Sequence, residues 1–195
     1  VIHDLVHVQV LGINNMQRHI DLLANSPNVA ETRLTAAAST NANGGGLVRN
    51  ELRIEHRSLF ETGLIHGDWH GGNLLFQGER LVGIVDLEFA GDGCYLEDLS
   101  YAISNLCVRT TTEAEKLERR TNLILDNYQM FRSLAPAEER ALYFAVGVKH
   151  VATVSYQIQQ LQGTVAGHTA ADWMNILAHQ CKWLSARAKK VRWGE

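Results

Sequence analysis

The sequence predicts an α+β fold that is mostly α-helical and carries one short antiparallel β-hairpin. Over most of the chain after residue 95, apolar residues recur every three or four positions, which is the period of an α-helix. The hairpin is predicted from two apolar-rich runs, 74–77 and 80–87, that flank Gly78 and Glu79. A two-residue connection that begins with glycine is typical of a type II′ hairpin turn.

The composition is that of a soluble globular protein and argues against several classes of function. With 195 residues, 46% hydrophobic and 20% charged, the chain is long enough for one domain with its own core. The net charge of −3 without a basic stripe predicts no nucleic-acid partner, and the apolar runs are too short to span a membrane. The chain has no signal peptide, and its three cysteines lack paired short spacing. We therefore expect a cytoplasmic protein with reduced thiols at Cys94, Cys107 and Cys181.

The elements before the hairpin are predicted from periodicity and composition. A helix is expected over 13–24, where Ile13, Met16, Ile20 and Leu23 follow the helical period. Residues 28–46 are rich in Ala, Thr, Asn and Gly, which is typical of a flexible loop. A second helix is expected over 47–61, with Gly63 as the residue that ends it.

Four helices are predicted after the hairpin. The first covers about 97–108. Thr112 with Glu115 forms a capping-box pattern that opens the second, and Pro136 is suited to the first turn of the third, which runs to about residue 162. Thr169 with Asp172 opens the last. The apolar stripe predicted for the second helix is Leu117, Ile124, Tyr128 and Phe131.

The hairpin brings polar side chains together. In the register expected for a two-residue turn, Gln77 faces Arg80, Leu75 faces Val82, and Asn73 faces Ile84. Side chains alternate along a strand, so Asp86 shares a face with Ile84 and becomes a diagonal neighbour of Asn73, with about 7–8 Å between the backbones. Two oxygen-bearing side chains at that separation are suited to one hard cation such as magnesium. Asp68, on the loop before the first strand, is placed to receive a proton.

The same residues carry a resemblance to a known family. His66-Gly67-Asp68 followed by Asn73 resembles the catalytic loop of kinases. With His70, the apolar strand that ends in Asp86, and Asp98-Leu99-Ser100, the pattern is similar to the aminoglycoside phosphotransferase and choline kinase superfamily.

The resemblance implies a protein-kinase-like fold of which this chain forms the C-terminal lobe. Residues 1–46 would be a leading helix and flexible loop, 47–100 the catalytic core, and 101–195 a helical substrate-side subdomain. A kinase N-lobe has a glycine-rich strand loop and a strand lysine, but neither is found before Leu64, and the first lysine is Lys116. We therefore expect the N-lobe to be absent from this chain.

The resemblance also implies roles for individual residues. Asp68 would be the catalytic base, taking the proton from a hydroxyl group of a small-molecule substrate. Asn73 and Asp86 would bind Mg²⁺, which bridges the phosphates of ATP, and Leu75 and Val85 would pack below the adenine. Asp98 would hydrogen-bond the catalytic loop, and His66 would order it. The implied activity is ATP- and magnesium-dependent transfer of a phosphoryl group to an aminoglycoside, a choline- or ethanolamine-like compound, or a similar molecule.

Several points stay open from the sequence alone. His70 would support the loop or line the substrate mouth, and Trp69 would stack on a substrate or pack under the loop. Glu88, in the Asp-x-Glu form found in choline, ethanolamine and thiamine kinases, would attract a cationic substrate or remain solvated. The alternative functions are a non-catalytic kinase-like binding module and a metal-dependent hydrolase with a zinc cluster of His66, Asp68 and His70. The acceptor and the oligomeric state are not specified.

Overall fold

The computed structural model describes residues 59–160 and 164–193. Over these residues the mostly helical α+β fold is confirmed. In chain order the elements are β1 Thr62–Ile65, β2 Leu74–Gln77, β3 Arg80–Ile84, β4 Gly91–Cys94, α1 Tyr95–Leu106, α2 Ala114–Gln129, α3 Pro136–Gln160, β5 Thr164–Val165, β6 His168–Thr169 and α4 Ala170–Trp193. The predictions for 13–24 and 28–46, and most of that for 47–61, lie outside the described residues.

Within residues 59–160 and 164–193 the strands form three separate antiparallel pairs, of which the sequence predicted one. The predicted hairpin is β2 with β3, and the two further pairs are β1 with β4 and β5 with β6. Gly63 does not end a helix as predicted, because it lies in β1 opposite Gly93, and residues 59–61 before it are not helical. The pairing of β1 with β4 matters for the site, since it joins the chain entering the Asp68 loop to the start of α1.

The hairpin register differs from the predicted one by a bulge. The observed pairs are Gln77 with Arg80, Phe76 with Leu81, Leu75 with Gly83, and Leu74 with Ile84. The turn is as predicted, with Gly78 at φ 62° as a type II′ turn requires. Val82 is the extra residue on β3, so the predicted pairing of Asn73 with Ile84 is wrong by one position. The face of Asp86 therefore does not follow from simple alternation.

Helix α2 begins and packs differently from the prediction. Its N-cap is Glu113, which makes no side-chain capping bond, so the predicted capping box of Thr112 and Glu115 is wrong. The buried stripe consists of Leu117, Thr121 and Leu125. These positions are four residues apart and lie on one helix face, whereas Phe131 follows the end of the helix and is 89% exposed.

The two long helices begin where the sequence predicted. Helix α3 begins at Pro136, and it is buried continuously over 141–146. Helix α4 is opened by a reciprocal cap, in which the Asp172 carboxylate accepts the Thr169 N–H at 2.9 Å and the Thr169 hydroxyl at 2.7 Å. These bonds lower the pKa of Asp172 below its ordinary value.

The described residues fall into two compact units, each with its own core. One unit contains 59–150 and 179–193, and the other contains 151–160 and 164–178. Buried apolar residues of the first include Leu96, Leu99, Ile103, Val108, Leu117, Val146 and Leu184. The core of the second is Val154, Val165, Trp173 and Leu177. The Trp173 indole N–H donates to the Val165 carbonyl at 2.8 Å, so this core has no unpaired indole donor.

Two findings bear on expectations from the composition. All three cysteines are free thiols, and burial raises the pKa of the Cys107 thiol to about 11. Among the helices in the described part of the chain, none has the length and apolarity needed to cross a membrane.

The first unit contains a buried polar network around His150. Gln180 donates its amide to the carbonyls of Val108 at 2.6 Å and Thr111 at 3.0 Å, so its Oε1 is left as an acceptor. His150 Nε2–H donates to that oxygen at 2.7 Å, and Ser104 Oγ lies 3.4 Å from the other ring nitrogen. The imidazole is therefore neutral with its proton on Nε2, and burial lowers its pKa to about 4.

We expect the network to make stability fall in weak acid. In the unfolded chain a histidine has a pKa of about 6.5, so between pH 6.5 and 4 the unfolded state binds the extra proton. The stabilisation is fully present above pH 6.5, and about 3 kcal/mol is lost as the pH falls to 4. Urea denaturation from pH 7.5 to 4.5 measures this loss. His150→Gln should reduce the pH dependence, the exposed control His179→Gln should keep it, and parallel curves for all three proteins would contradict the assignment.

Candidate active site

The loop of residues 66–70 follows β1 and is fastened to helix α1 by Asp98. The Asp98 carboxylate accepts hydrogen bonds from the His66 N–H at 3.1 Å, the Gly67 N–H at 2.8 Å and the Trp69 indole N–H at 2.6 Å. The predicted role of Asp98 in holding this loop is therefore confirmed in its geometry. Asp98 lies in the first turn of the helix, where a carboxylate is also favoured by the helix dipole.

Gly67 occupies a position that accepts no larger residue. Its φ of 82° is left-handed, and a Cβ built there would lie 2.7 Å from the Phe89 carbonyl oxygen. Because the clashing atom belongs to the backbone, a side chain would have to displace the loop. This contact explains why this chain has glycine at a position where the kinase pattern has arginine.

His66 orders the loop, as the resemblance implies. Its buried ring donates from Nε2 to the Val85 carbonyl at 3.0 Å and accepts the Asp68 N–H at Nδ1, at 3.2 Å. Both ring nitrogens are thus used in holding other residues. The zinc-hydrolase alternative gains no support, since no group of three His, Cys, Asp or Glu side chains within 59–160 and 164–193 is arranged to hold a metal.

Asp68 and Asn73 lie side by side, because a single 3₁₀ turn, Gly71–Asn73, separates the loop from β2. The buried Asn73 amide nitrogen donates to the Asp68 carbonyl at 3.0 Å and to Asp68 Oδ2 at 3.2 Å. These two bonds fix the orientation of the amide, so Asn73 Oδ1 points away from Asp68. Asp68 is 17% exposed, so its carboxylate is within reach of a small molecule.

Asp86 lies near Asn73 because of a backbone hydrogen bond, and not because side chains alternate along a strand. The Val85 N–H donates to the Asn73 carbonyl at 3.0 Å, which places the next residue beside Asn73. Strand β3 ends at Ile84, and Asp86 has a left-handed φ of 64°. Asp86 is exposed, so the expectation that it ends a buried strand is wrong.

Asn73 and Asp86 suit a hard cation in their donor chemistry. In the described part of the chain, no hydrogen bond reaches the Asn73 amide oxygen or the Asp86 carboxylate, since Asn73 bonds Asp68 through its amide nitrogen. Amide and carboxylate oxygens are the ligands that Mg²⁺ uses together with phosphate and water oxygens. The two residues therefore fit the predicted magnesium site.

The two residues predicted below the adenine lie on the hairpin with much of their surface accessible. Leu75 is 46% exposed and Val85 is 39% exposed. Their neighbours on the hairpin are also exposed apolar residues, namely Phe76, Leu81, Val82 and Ile84. An accessible apolar surface next to the Asn73 carbonyl is compatible with a planar base, and the adenine contact stays a prediction.

The structure also shows what Trp69 does and adds a residue that sequence analysis missed. The Trp69 side chain is directed to Asp98, while its carbonyl accepts the Asn105 side-chain N–H at 3.0 Å. The bond to Asp98 supports packing under the loop, the second of its two predicted roles, and stacking on a substrate stays a prediction. Asn105 lies seven residues after Asp98, two helical turns further on the same face, and this spacing is the signal that could have found it.

Glu88 is exposed, and its proposed attraction for a cationic substrate stays a prediction.

The sequence is similar to known phosphotransferases over this region. The profile of the phosphotransferase enzyme family matches residues 16–135, more than half of the chain. The homoserine kinase of Bartonella henselae is 32% identical over 85 residues, which are 44% of this chain and 26% of that protein. The homoserine kinase of Janthinobacterium sp. is 32% identical over 81 residues, which are 42% of this chain and 25% of that protein. The homoserine kinase of Methylobacillus flagellatus is 27% identical over 116 residues, which are 57% of this chain and 35% of that protein. The chain thus spans about a quarter to a third of the length of these curated relatives.

Proposed function

The chain belongs to the phosphotransferase enzyme family, and from this membership we propose that it transfers the γ-phosphoryl group of ATP to a hydroxyl group of a small molecule. The resemblance inferred from the His66 to Asp98 pattern is confirmed at the level of the family. Beyond the family, we propose the activity, the acceptor and the roles of individual residues. We also propose the division into a catalytic core at 47–100 and a substrate-side subdomain at 101–195.

The observation that carries the proposal is the bond from the Asn73 amide to the Asp68 carboxylate, at 3.2 Å. This bond holds the carboxylate that we propose as the base, that of Asp68, next to the side chain whose oxygen we propose as a metal ligand, that of Asn73. Asp86 lies beside Asn73, because the Val85 N–H before it donates to the Asn73 carbonyl. Phosphoryl transfer depends mainly on position and charge, and requires an oxygen-ligated cation next to a base that faces the attacking hydroxyl. The Asp68, Asn73 and Asp86 arrangement supplies both from one loop and one hairpin.

In the proposed reaction Asp68 accepts the proton of the acceptor hydroxyl. The hydroxyl oxygen bonds to the γ-phosphorus as the bond from that phosphorus to the leaving ADP oxygen breaks. Asn73 and Asp86 would hold a magnesium ion, which would neutralise the negative charge that develops on the phosphate oxygens during transfer. Asn73 also holds Asp68 Oδ2, so the cation ligand and the base are fixed relative to each other.

For the acceptor, we propose a small hydroxylated amino acid as the first class to test. The relatives named above are homoserine kinases, and homoserine carries the primary hydroxyl that the reaction requires. ADP formation should rise on addition of L-homoserine. Choline and an aminoglycoside serve as comparison acceptors, because the sequence pattern alone is compatible with all three.

Calorimetric titration with ATP, in the presence and absence of magnesium, tests the site directly. We expect magnesium-dependent binding to the full chain, weakened in Asp86→Ala by at least about tenfold, equivalent to about 1.4 kcal/mol. Glu79→Ala is the matched control, because Glu79 is an exposed carboxylate at the hairpin turn. Equal binding by Asp86→Ala would contradict the metal assignment. No binding in any condition would mean either that ATP binding requires an N-lobe or that the chain is a non-catalytic module, and the same titration on a longer chain that contains an N-lobe separates the two.

A further inference from the structure

His70 is the ionisable residue of the loop to which the proposed reaction gives no role. It precedes the Gly71–Asn73 turn, and its Nδ1 accepts the Gly72 N–H at 3.1 Å. Its Nε2 lies 3.3 Å from Asp68 Oδ2. Because Nδ1 is an acceptor, the proton of the neutral ring is on Nε2, the nitrogen that lies next to the Asp68 carboxylate.

The neighbours of the two Asp68 oxygens differ. Oδ2 accepts a hydrogen bond from the Asn73 amide at 3.2 Å and lies 3.3 Å from His70 Nε2. No hydrogen bond from the described residues reaches Oδ1. A carboxylate that is hydrogen-bonded at one oxygen, with a second nitrogen close to that oxygen, does not rotate freely, so Oδ1 keeps a constant direction.

We propose that His70 is a positioning residue that holds Asp68 Oδ2, so that Oδ1 is the oxygen that accepts the proton of the substrate hydroxyl. The inference rests on the proposed function and adds to it the atom that acts as base and the side chain that aims it. His70 has two separable contacts, one that caps the turn through Nδ1 and one that orients Asp68 through Nε2. A purely structural role would need only the first.

Two substitutions of His70 separate these contacts. Asparagine places a polar atom near the position of Nδ1 and is a favoured capping residue, but is too short to reach Asp68. Glutamine places its amide nitrogen near the position of Nε2 and keeps a donor for Oδ2. We expect His70→Asn to lower kcat by about 10- to 100-fold with little change in the KM for ATP, and His70→Gln to restore most of the rate.

Glycines of the turn supply a second test that leaves His70 in place. A Cβ at Gly72 would lie 3.0 Å from both Cε1 and Nδ1 of His70, so Gly72→Ala must push the ring away from its position. A Cβ at Gly71 would meet nothing within 4 Å, which makes Gly71→Ala the matched control. We expect a lower kcat in Gly72→Ala and an unchanged rate in Gly71→Ala.

The rates are measured as ADP release at saturating magnesium-ATP, with L-homoserine and with water as the acceptor. Long-range ¹H–¹⁵N spectra of the full labelled chain add a readout that needs no turnover. They should show His70 protonated on Nε2, with its signals shifted in Asp68→Ala. Wild-type rates in His70→Asn, a proton on Nδ1, or His70 signals unaffected by Asp68→Ala would each overturn the inference. If the wild type turns over neither acceptor, the proposed activity fails, and the spectra still decide the His70–Asp68 contact.

Discussion

Asp68→Asn is expected to lower phosphoryl transfer by about 10²–10⁴-fold while ATP still binds, because the loss of a general base has that magnitude. The change is nearly isosteric. The amide oxygen of asparagine can take the place of Oδ2, which accepts from Asn73 at 3.2 Å and lies 3.3 Å from His70 Nε2. The amide nitrogen then stands where Oδ1 stood, and it accepts no proton.

The measurement is the rate of ADP formation under saturating magnesium-ATP, together with a calorimetric titration of ATP into the same variant. Asp126→Asn is the control, since Asp126 is exposed on helix α2. It should match the wild type in both experiments. A variant that keeps most of its rate would show that Asp68 is not the base, and a variant that no longer binds magnesium-ATP would show that Asp68 acts on binding instead.

The parts of the fold that sequence analysis predicted correctly are those that local patterns determine. The start of α3 follows from Pro136 and that of α4 from Thr169 with Asp172, because each signal lies within one turn of the helix that it opens. The pairing of β1 with β4 was missed. Its strands are about 25 residues apart, and β4 reads Gly-Asp-Gly-Cys, which has no alternating apolar pattern.

For the candidate site, too, local sequence patterns identified the residues but not their geometry. Spacing identifies Asp68, Asn73, Asp86 and Asp98, since the pattern that relates them is a sequence pattern. Their geometry depends on features that spacing does not contain, namely the bulge at Val82 and the 3₁₀ turn that ends at Asn73. The short distance between His70 and Asp68 is a consequence of that turn, because the bond from the Gly72 N–H holds the His70 ring next to the loop.

Outside the site, the largest effect on stability is expected at a buried ion pair that anchors β1. Glu138 is completely buried in the first turn of α3. Its carboxylate accepts Arg132 Nη2 at 2.9 Å and 3.1 Å, the Ala135 N–H at 2.9 Å and the Glu61 N–H at 3.1 Å. Glu61 immediately precedes β1, so the pair connects the strand that leads into the Asp68 loop to the helical body.

Arg132→Met is expected to lower the free energy of unfolding by about 3–5 kcal/mol, the cost typical of removing one partner of a buried ion pair. Methionine replaces most of the volume of the arginine stem, so the loss arises mainly from the Glu138 charge that stays buried without its partner. Urea denaturation at neutral pH measures it. The control is Arg119→Met on the exposed face of α2, which should change stability by less than about 0.5 kcal/mol.

A double variant distinguishes loss of charge pairing from loss of packing. In Arg132→Met with Glu138→Gln the buried group is neutral, and its amide oxygen still accepts a backbone N–H from Glu61 or Ala135. If the unpaired charge is the cause, the double variant is more stable than Arg132→Met alone and regains most of the loss. Additive losses would instead assign the effect to the other contacts of the guanidinium, which donates to Glu61 Oε2 at 2.8 Å and lies 4.7 Å from the centre of the Tyr95 ring. In that case these contacts, and not the charge pairing with Glu138, would account for the stability that Arg132 supplies.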